Sequence, residues 1–169
     1  MGSFEQLFRQ QYTFVCQTVY RYIRDKSKVE DIAQEIFAEL WMKKDVIHIH
    51  TSIQSYLRRM AVTRALNYIR DTRKYNWDEL DITVESVQES IIQDPTAIHQ
   101  LEESDLRNKI DHVIQQLPEK CRIVFLLSRN DELSYSEISR QLNISIKTVE
   151  NQIGKALKLL RIALTDDRG

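Results

Sequence analysis

An all-α chain is predicted, made of two small helical domains joined by an acidic linker, with the C-terminal domain a helix-turn-helix. Three observations lead there. Only 3 Gly and 2 Pro occur in 169 residues, which leaves little turn material for strand-rich architectures. Apolar residues recur at helical spacing along both ends of the chain. Charge falls into blocks: residues 1–75 hold 13 Lys and Arg against 8 Asp and Glu, and residues 106–169 hold 11 against 8. Between them, residues 76–105 carry 9 acidic side chains and no Lys or Arg, so a formal net charge of -1 hides two basic blocks. The expected boundaries are therefore 1–75, 76–105 and 106–169.

With 42% hydrophobic residues, such a length can bury two small cores. No apolar run approaches the roughly 18 residues of a membrane span, and no basic-then-apolar export signal opens the chain. A cytoplasmic protein is expected. Cys16 and Cys121 are far apart and lack CxxC spacing, so both are expected to be small buried hydrophobes.

In FEQLFRQQYTFVCQTVYRYI, the positions Phe4, Leu7, Phe8, Val15, Val19, Tyr22 and Ile23 mark the inward side of a packing helix. In VEDIAQEIFAELW, Ile32, Ile36 and Leu40 fall four apart, as do Ala33, Phe37 and Trp41, giving one wide buried stripe. Its outer side shows Asp31, Gln34, Glu35 and Glu39, a polar face that solvation alone would also explain. The loop KKDVIHIHTSIQS follows; His48 and His50 have no Cys, Asp or Glu after them at ligand spacing, so no metal site is expected.

SYLRRMAVTRALNYIRDTRK is a third helix. At about 100° per residue, Leu57, Ala61, Ala65, Tyr68 and Ile69 point inward, and Arg59, Thr63, Asn67, Arg70 and Lys74 line the opposite side. Cations displace counterions from phosphate, and Thr and Asn can bond base edges. Arg58, Arg64 and Arg73 widen the strip, while Tyr56, Tyr75 and Trp77 at its ends offer rings for unpaired bases. A solvated helix with snorkelling arginines is the competing explanation.

In the last block, LRNKIDHVIQQLPEKCRIVFLLSRN gives two helices, the second opened by Pro118 in its first turn, with Ile123, Val124, Leu126 and Leu127 inward. Ser134 and Glu137 form a Ser-x-x-Glu capping box for the first helix of a corner, whose inward residues are Ile138 and Leu142. Asn143 stands at the sharp turn, where a left-handed backbone suits Asn. Ser145 caps the next helix. Along it Val149, Ile153, Ala156, Leu157 and Leu160 point inward, and Lys147, Thr148, Asn151, Gly154, Lys155 and Lys158 outward. Polar readers near the N-terminus and lysines further along make the pattern of a recognition helix, for which Gln152 is a further DNA-binding candidate. Gly154 suits either close approach to DNA or a helix–helix contact, and Glu150 weakens phosphate attraction.

These stretches resemble a known family. DIAQEIFAELW resembles the polymerase-binding helix of sigma-70 factors, YLRRMAVTRALNYIRDTRK their −10 helix, and LPEKCRIVFLLSR with SYSEISRQLNISIKTVENQIGKALKLLR their −35 module. The two-domain form is similar to the extracytoplasmic-function (ECF) group, and KTVENQIGKALKLLR to members from Bacteroidetes. The resemblance implies that Asp31, Gln34, Glu35 and Glu39 bind the clamp helices of the polymerase β′ subunit, with the β flap as a further contact. It implies that Arg58, Arg59, Thr63, Asn67, Arg70 and Lys74 meet −10 DNA, and that the loop from Val46 to Ser52 captures a flipped base. Lys147, Thr148, Asn151, Gln152, Lys155 and Lys158 then bind the −35 element. Many members carry Asn where Thr63 stands and Asp where Asn67 stands, which touches individual −10 contacts. The implied partners are core RNA polymerase, double-stranded and melted promoter DNA, and an anti-sigma factor, possibly membrane-bound; no cofactor, small-molecule substrate or catalysis is implied.

Three other readings compete. A stand-alone helix-turn-helix repressor or activator would need a two-fold interface and palindromic sites. A helical enzyme would have to use His48, His50, His99 or His112, which lie in different segments without an activating constellation. A module that only sequesters polymerase would not need the Arg59, Thr63, Asn67 and Arg70 row.

Overall fold

The computed structural model describes residues 2–72, 77 and 104–165. Arg73, Lys74, Tyr75, His99 and nearly all of the acidic segment lie outside these residues. The chain divides into two units, Met1–Lys74 and Tyr75–Gly169. Both are all-helical among the described residues, as expected.

Three helices build the first unit, and each packs on the other two: α1 (Gly2–Tyr22), α2 (Lys26–Met42) and α3 (Ile53–Thr72). Asp25 starts α2 by accepting a hydrogen bond from the Lys28 N–H at 3.2 Å, satisfying one of the orphan donors of a helix start. Ser52 does the same for α3, accepting from the Ser55 N–H at 3.1 Å. The core joins Val15, Val19, Tyr22 and Ile23 of α1 to Ile32, Ile36 and Leu40 of α2 and Leu57, Ala61 and Ile69 of α3, all buried. Each large apolar side chain so buried stabilises the fold by about 1.5–3 kcal/mol.

Of the expected core positions, Phe4, Leu7 and Tyr68 are half-buried and two are exposed at the margin. Trp41 is 40% exposed and Phe8 36%, because both belong to an aromatic layer along the edge between α1 and α2. There Phe4 meets Trp41 edge-on at 4.8 Å and Phe8 meets Phe37 at 5.0 Å, arrangements that ring quadrupoles favour.

The second unit contains α4 (Ser104–Gln116), α5 (Glu119–Arg129), α6 (Tyr135–Leu142) and α7 (Ile146–Thr165). Pro118 precedes α5 as its cap residue, one position earlier than the sequence suggests. Every residue from Cys121 to Leu127 is buried, Arg122 and Phe125 included, so α5 is a central helix rather than a one-sided one. It packs against α6 and α7, and α7 also contacts α4. On α7, Leu157, expected to point inward, is 44% exposed, and Leu159, which the helical spacing had not singled out, is buried at 1%. No described helix is long and apolar enough to cross a membrane.

Candidate nucleic-acid interface

The corner between α6 and α7 is built from short polar side chains. The Ser134 hydroxyl accepts from the Glu137 N–H at 3.1 Å, which is the N-cap half of the expected capping box, and the same hydroxyl donates to the Glu137 carboxylate at 3.1 Å, so that the carboxylate closes on the Ser134 side chain. At the other end Asn143 adopts the left-handed conformation, φ 56° and ψ 50°. The N–H groups of Asn143 and Ile144 both bond the Ser139 carbonyl, and the Ser139 hydroxyl donates to the Ile144 carbonyl at 2.7 Å. Ser145 then accepts from the Thr148 N–H at 3.0 Å and starts α7. The geometry expected of a helix-turn-helix is present, with α7 as its second helix.

The outer face of α7 differs from the expected set at two positions. Lys147, Asn151 and Lys158 are exposed and Lys155 is half-buried, as a reading face requires. Thr148 and Gln152 turn inward, each 7% exposed. Thr148 Oγ1 is tied to Ser145 Oγ at 2.8 Å as part of the cap. Gln152 Oε1 accepts from the Cys121 thiol at 3.0 Å, bridging α7 and α5. Both belong to the interior edge of α7, one helical step from the readers. Burial pushes the Cys121 thiol up to about 11, against the opposing pull of Lys155 and Lys120. Gly154 is exposed, and a Cβ added there would meet nothing within 4 Å, so no described helix of the unit uses it for close packing.

In the first unit, the face of α3 opposite the core presents Arg59, Thr63 and Arg70 exposed, with Asn67 half-buried. Arg70 donates to the Asn67 amide oxygen at 2.6 Å, linking two of the expected DNA contacts. Arg58 is half-buried with its guanidinium 5.7 Å from the centre of the Phe14 ring. Lys74, the last expected member of this row, falls outside the described residues.

Arg64 does not join that row. Its guanidinium pairs with Glu39 and lies 3.6 Å from the Glu35 carboxylate, both on α2. Sequence spacing placed Arg64 beside the DNA strip, because helical periodicity carries no information about a neighbouring helix. The pairing also bears on the expected polymerase face. Asp31, Gln34 and Glu35 are exposed, whereas Glu39 is half-buried and held by Arg64 and by Lys43 at 2.7 Å. Tyr12 lies beside Gln34: burial and the Cys16 thiol raise its pKa, and a hydrogen bond with Gln34 opposes the rise. Cys16 itself is half-buried and its pKa is raised, chiefly by burial, so the expectation of two buried cysteines holds fully for Cys121 alone.

Between α2 and α3, the loop exposes Val46, His48, His50 and Ser52 while Ile47 and Ile49 are half-buried. The Val46 and Ile47 N–H groups both bond the Lys43 carbonyl at 3.0 Å, which fixes the start of the loop on the end of α2.

Both units match known domains. Residues 7–75 match "Sigma-70 region 2" and residues 107–160 match "Sigma-70, region 4". The chain is 29% identical over 160 residues to the ECF RNA polymerase sigma factor SigW of Bacillus subtilis, covering 90% of this chain and 83% of SigW. It is 26% identical to RNA polymerase sigma factor YlaC of the same organism, covering 98% of this chain and 94% of YlaC. The ECF RNA polymerase sigma-E factor of Escherichia coli K12 is 29% identical, over 84% of this chain and 76% of that protein. Together, a region 2 match on the α1–α3 unit, a region 4 match on the unit with the α6–α7 corner and ECF relatives matched over most of both chains separate this chain from a stand-alone regulator: it belongs to the sigma-70 family, in its ECF group.

Proposed function

We propose that the chain directs promoter-specific initiation through two separate reading surfaces mounted on core RNA polymerase. The observation that carries this reading is α7. A helix that starts at a left-handed Asn143 corner and shows Lys147, Asn151, Lys155 and Lys158 on one side has the form of a major-groove reader. It takes the −35 element. Thr148 and Gln152 support it from inside.

In the first unit, Asp31, Gln34 and Glu35 grip the β′ clamp helices, and Glu39 acts through its ion pairs. Arg59, Thr63, Asn67 and Arg70, with Arg58 and Lys74, meet the −10 strand. The exposed lip of the Val46 to Ser52 loop receives an unpaired base, whose unstacking costs a few kcal/mol and must be offset by stacking and phosphate contacts. The protein itself performs no chemistry, the polymerase doing the catalysis in the cytoplasm.

The three-part division into 1–75, 76–105 and 106–169 fits this scheme. A segment with 9 acidic residues suits the basic channels of polymerase and disfavours binding of free DNA by its flanking blocks. An anti-sigma factor, possibly membrane-bound, that covers the polymerase-binding face is the fitting regulator. The KTVENQIGKALKLLR ending is the kind found in Bacteroidetes members.

Holoenzyme assembly tests the assignment of surfaces. Replacing Asp31 and Gln34 together with Ala is expected to lower affinity for core polymerase at least tenfold, while Lys147→Ala leaves assembly unchanged and reduces use of −35-dependent promoters. Equal assembly by the double variant and the wild type would remove α2 from the interface.

A further inference from the structure

The outer face of α7 holds two residues that none of the described residues of the unit explains. The first is Glu150, the sole acidic residue from Ile146 to Thr165, where its neighbours are Lys147, Asn151, Lys155 and Lys158. It is exposed and makes no ion pair or hydrogen bond among the described residues, although Lys147 stands one turn before it. Its fifth place in the helix is past the first turn, where a carboxylate gains from the helix dipole. One turn further on is Gly154, so no side chain covers the carboxylate from that direction.

Gly154 is the second. A glycine in a helix interior is less stable than alanine, and here alanine would fit, since the space beyond is open. No positive φ requires it either. The absence of a side chain therefore serves something that approaches from outside, on the face that carries Lys147 and Asn151.

We infer that Glu150 and Gly154 form a specificity notch that reads a C·G pair in the −35 element. Gly154 lets the helix backbone approach the groove floor, and the Glu150 carboxylate accepts a hydrogen bond from a cytosine N4 amine, the base-edge donor that a carboxylate suits. Opposite thymine or guanine the same carboxylate faces acceptors and repels them, so a residue that weakens phosphate attraction gains selectivity in return. This inference rests on the reading of α7 as the −35 helix.

The test uses the full chain assembled with core polymerase and a promoter library randomised across the −35 element, with transcript yield as readout. The wild type is expected to favour cytosine at one position of one strand by roughly tenfold, the discrimination of a good base contact. Glu150→Ala is expected to abolish that preference alone and to raise yield from the disfavoured promoters. Gly154→Ala is expected to raise the melting temperature by about 5 °C and yet lower −35-dependent yield about tenfold. Unchanged base preferences in Glu150→Ala, or full activity in Gly154→Ala, would overturn the notch. Absence of any promoter-specific start by the wild type would instead overturn the promoter-reading account, and the inference with it.

Discussion

Gln152 and Cys121 illustrate how a polar residue on a reading helix can serve the fold. The Cys121 thiol donates to Gln152 Oε1 inside the second unit, and removing the acceptor leaves a buried group without its bond. Gln152→Ala is expected to cost about 1–3 kcal/mol in urea denaturation while leaving −35 base preference as in the wild type. A change of preference without loss of stability would return Gln152 to the reading surface. Cys121 adds a pH dependence of known sign. Its pKa rises from 9.0 to about 11 on folding because burial disfavours the thiolate. The folded state is therefore favoured below pH about 9, and that advantage, on the order of 2 kcal/mol, is lost as pH climbs towards 11. Denaturation of wild type and Cys121→Ala between pH 8 and about 11 should show a decline in the wild type that the variant lacks. At this scale the sequence was most legible where chemistry is local. Ser134, Asn143 and Ser145 announce their roles because a cap or a left-handed turn selects residue type within a few positions. Thr148 and Gln152 were misplaced because they lie at the boundary between faces, where a small angular error moves a side chain from groove to core.

Helices pack by contacts that periodicity does not encode, and Arg64 is the clearest case. Its ion pairs to Glu35 and Glu39 tie α3 to α2, half-buried at Arg64 and Glu39. Arg64→Ala is expected to lower the stability of the first unit by up to about 1 kcal/mol, the scale of partly solvated ion pairs. Binding of a −10 oligonucleotide by the holoenzyme should fall less than it does in Arg59→Ala, as followed by fluorescence anisotropy. A loss as large as that of Arg59→Ala would put Arg64 back on the DNA strip. The central helix α5 makes a second case. Its apolar positions were readable, but the burial of every residue from Cys121 to Leu127 was not, since Arg122 reads as a surface residue until α6 and α7 are packed against its helix. Leu127 is fully buried there, and Leu127→Ala is expected to cost about 2–5 kcal/mol in thermal unfolding, with loss of all −35-dependent activity near the new melting temperature.

For the whole molecule, charge and family membership point the same way. Two basic blocks on either side of an acidic segment give a chain of net charge -1, which has little general attraction for phosphate. That balance suits a factor whose reading surfaces act when polymerase supplies the mounting. Deleting residues 76–105 is expected to increase affinity for free DNA at low salt and to impair initiation; no change in either would leave the acidic segment without this role. The two-domain plan was legible because composition changes abruptly at both ends of the segment, whereas the family is carried by the motifs on α2, α3 and α7. The most direct measurement adds the purified chain to core RNA polymerase free of other sigma factors and maps transcript start sites on its own genomic upstream regions. Discrete starts that share −35 and −10 elements, and that vanish when Asp31 and Gln34 are both changed to Ala, are the predicted result. Tight, specific DNA binding without polymerase, together with no discrete starts in its presence, would contradict the account.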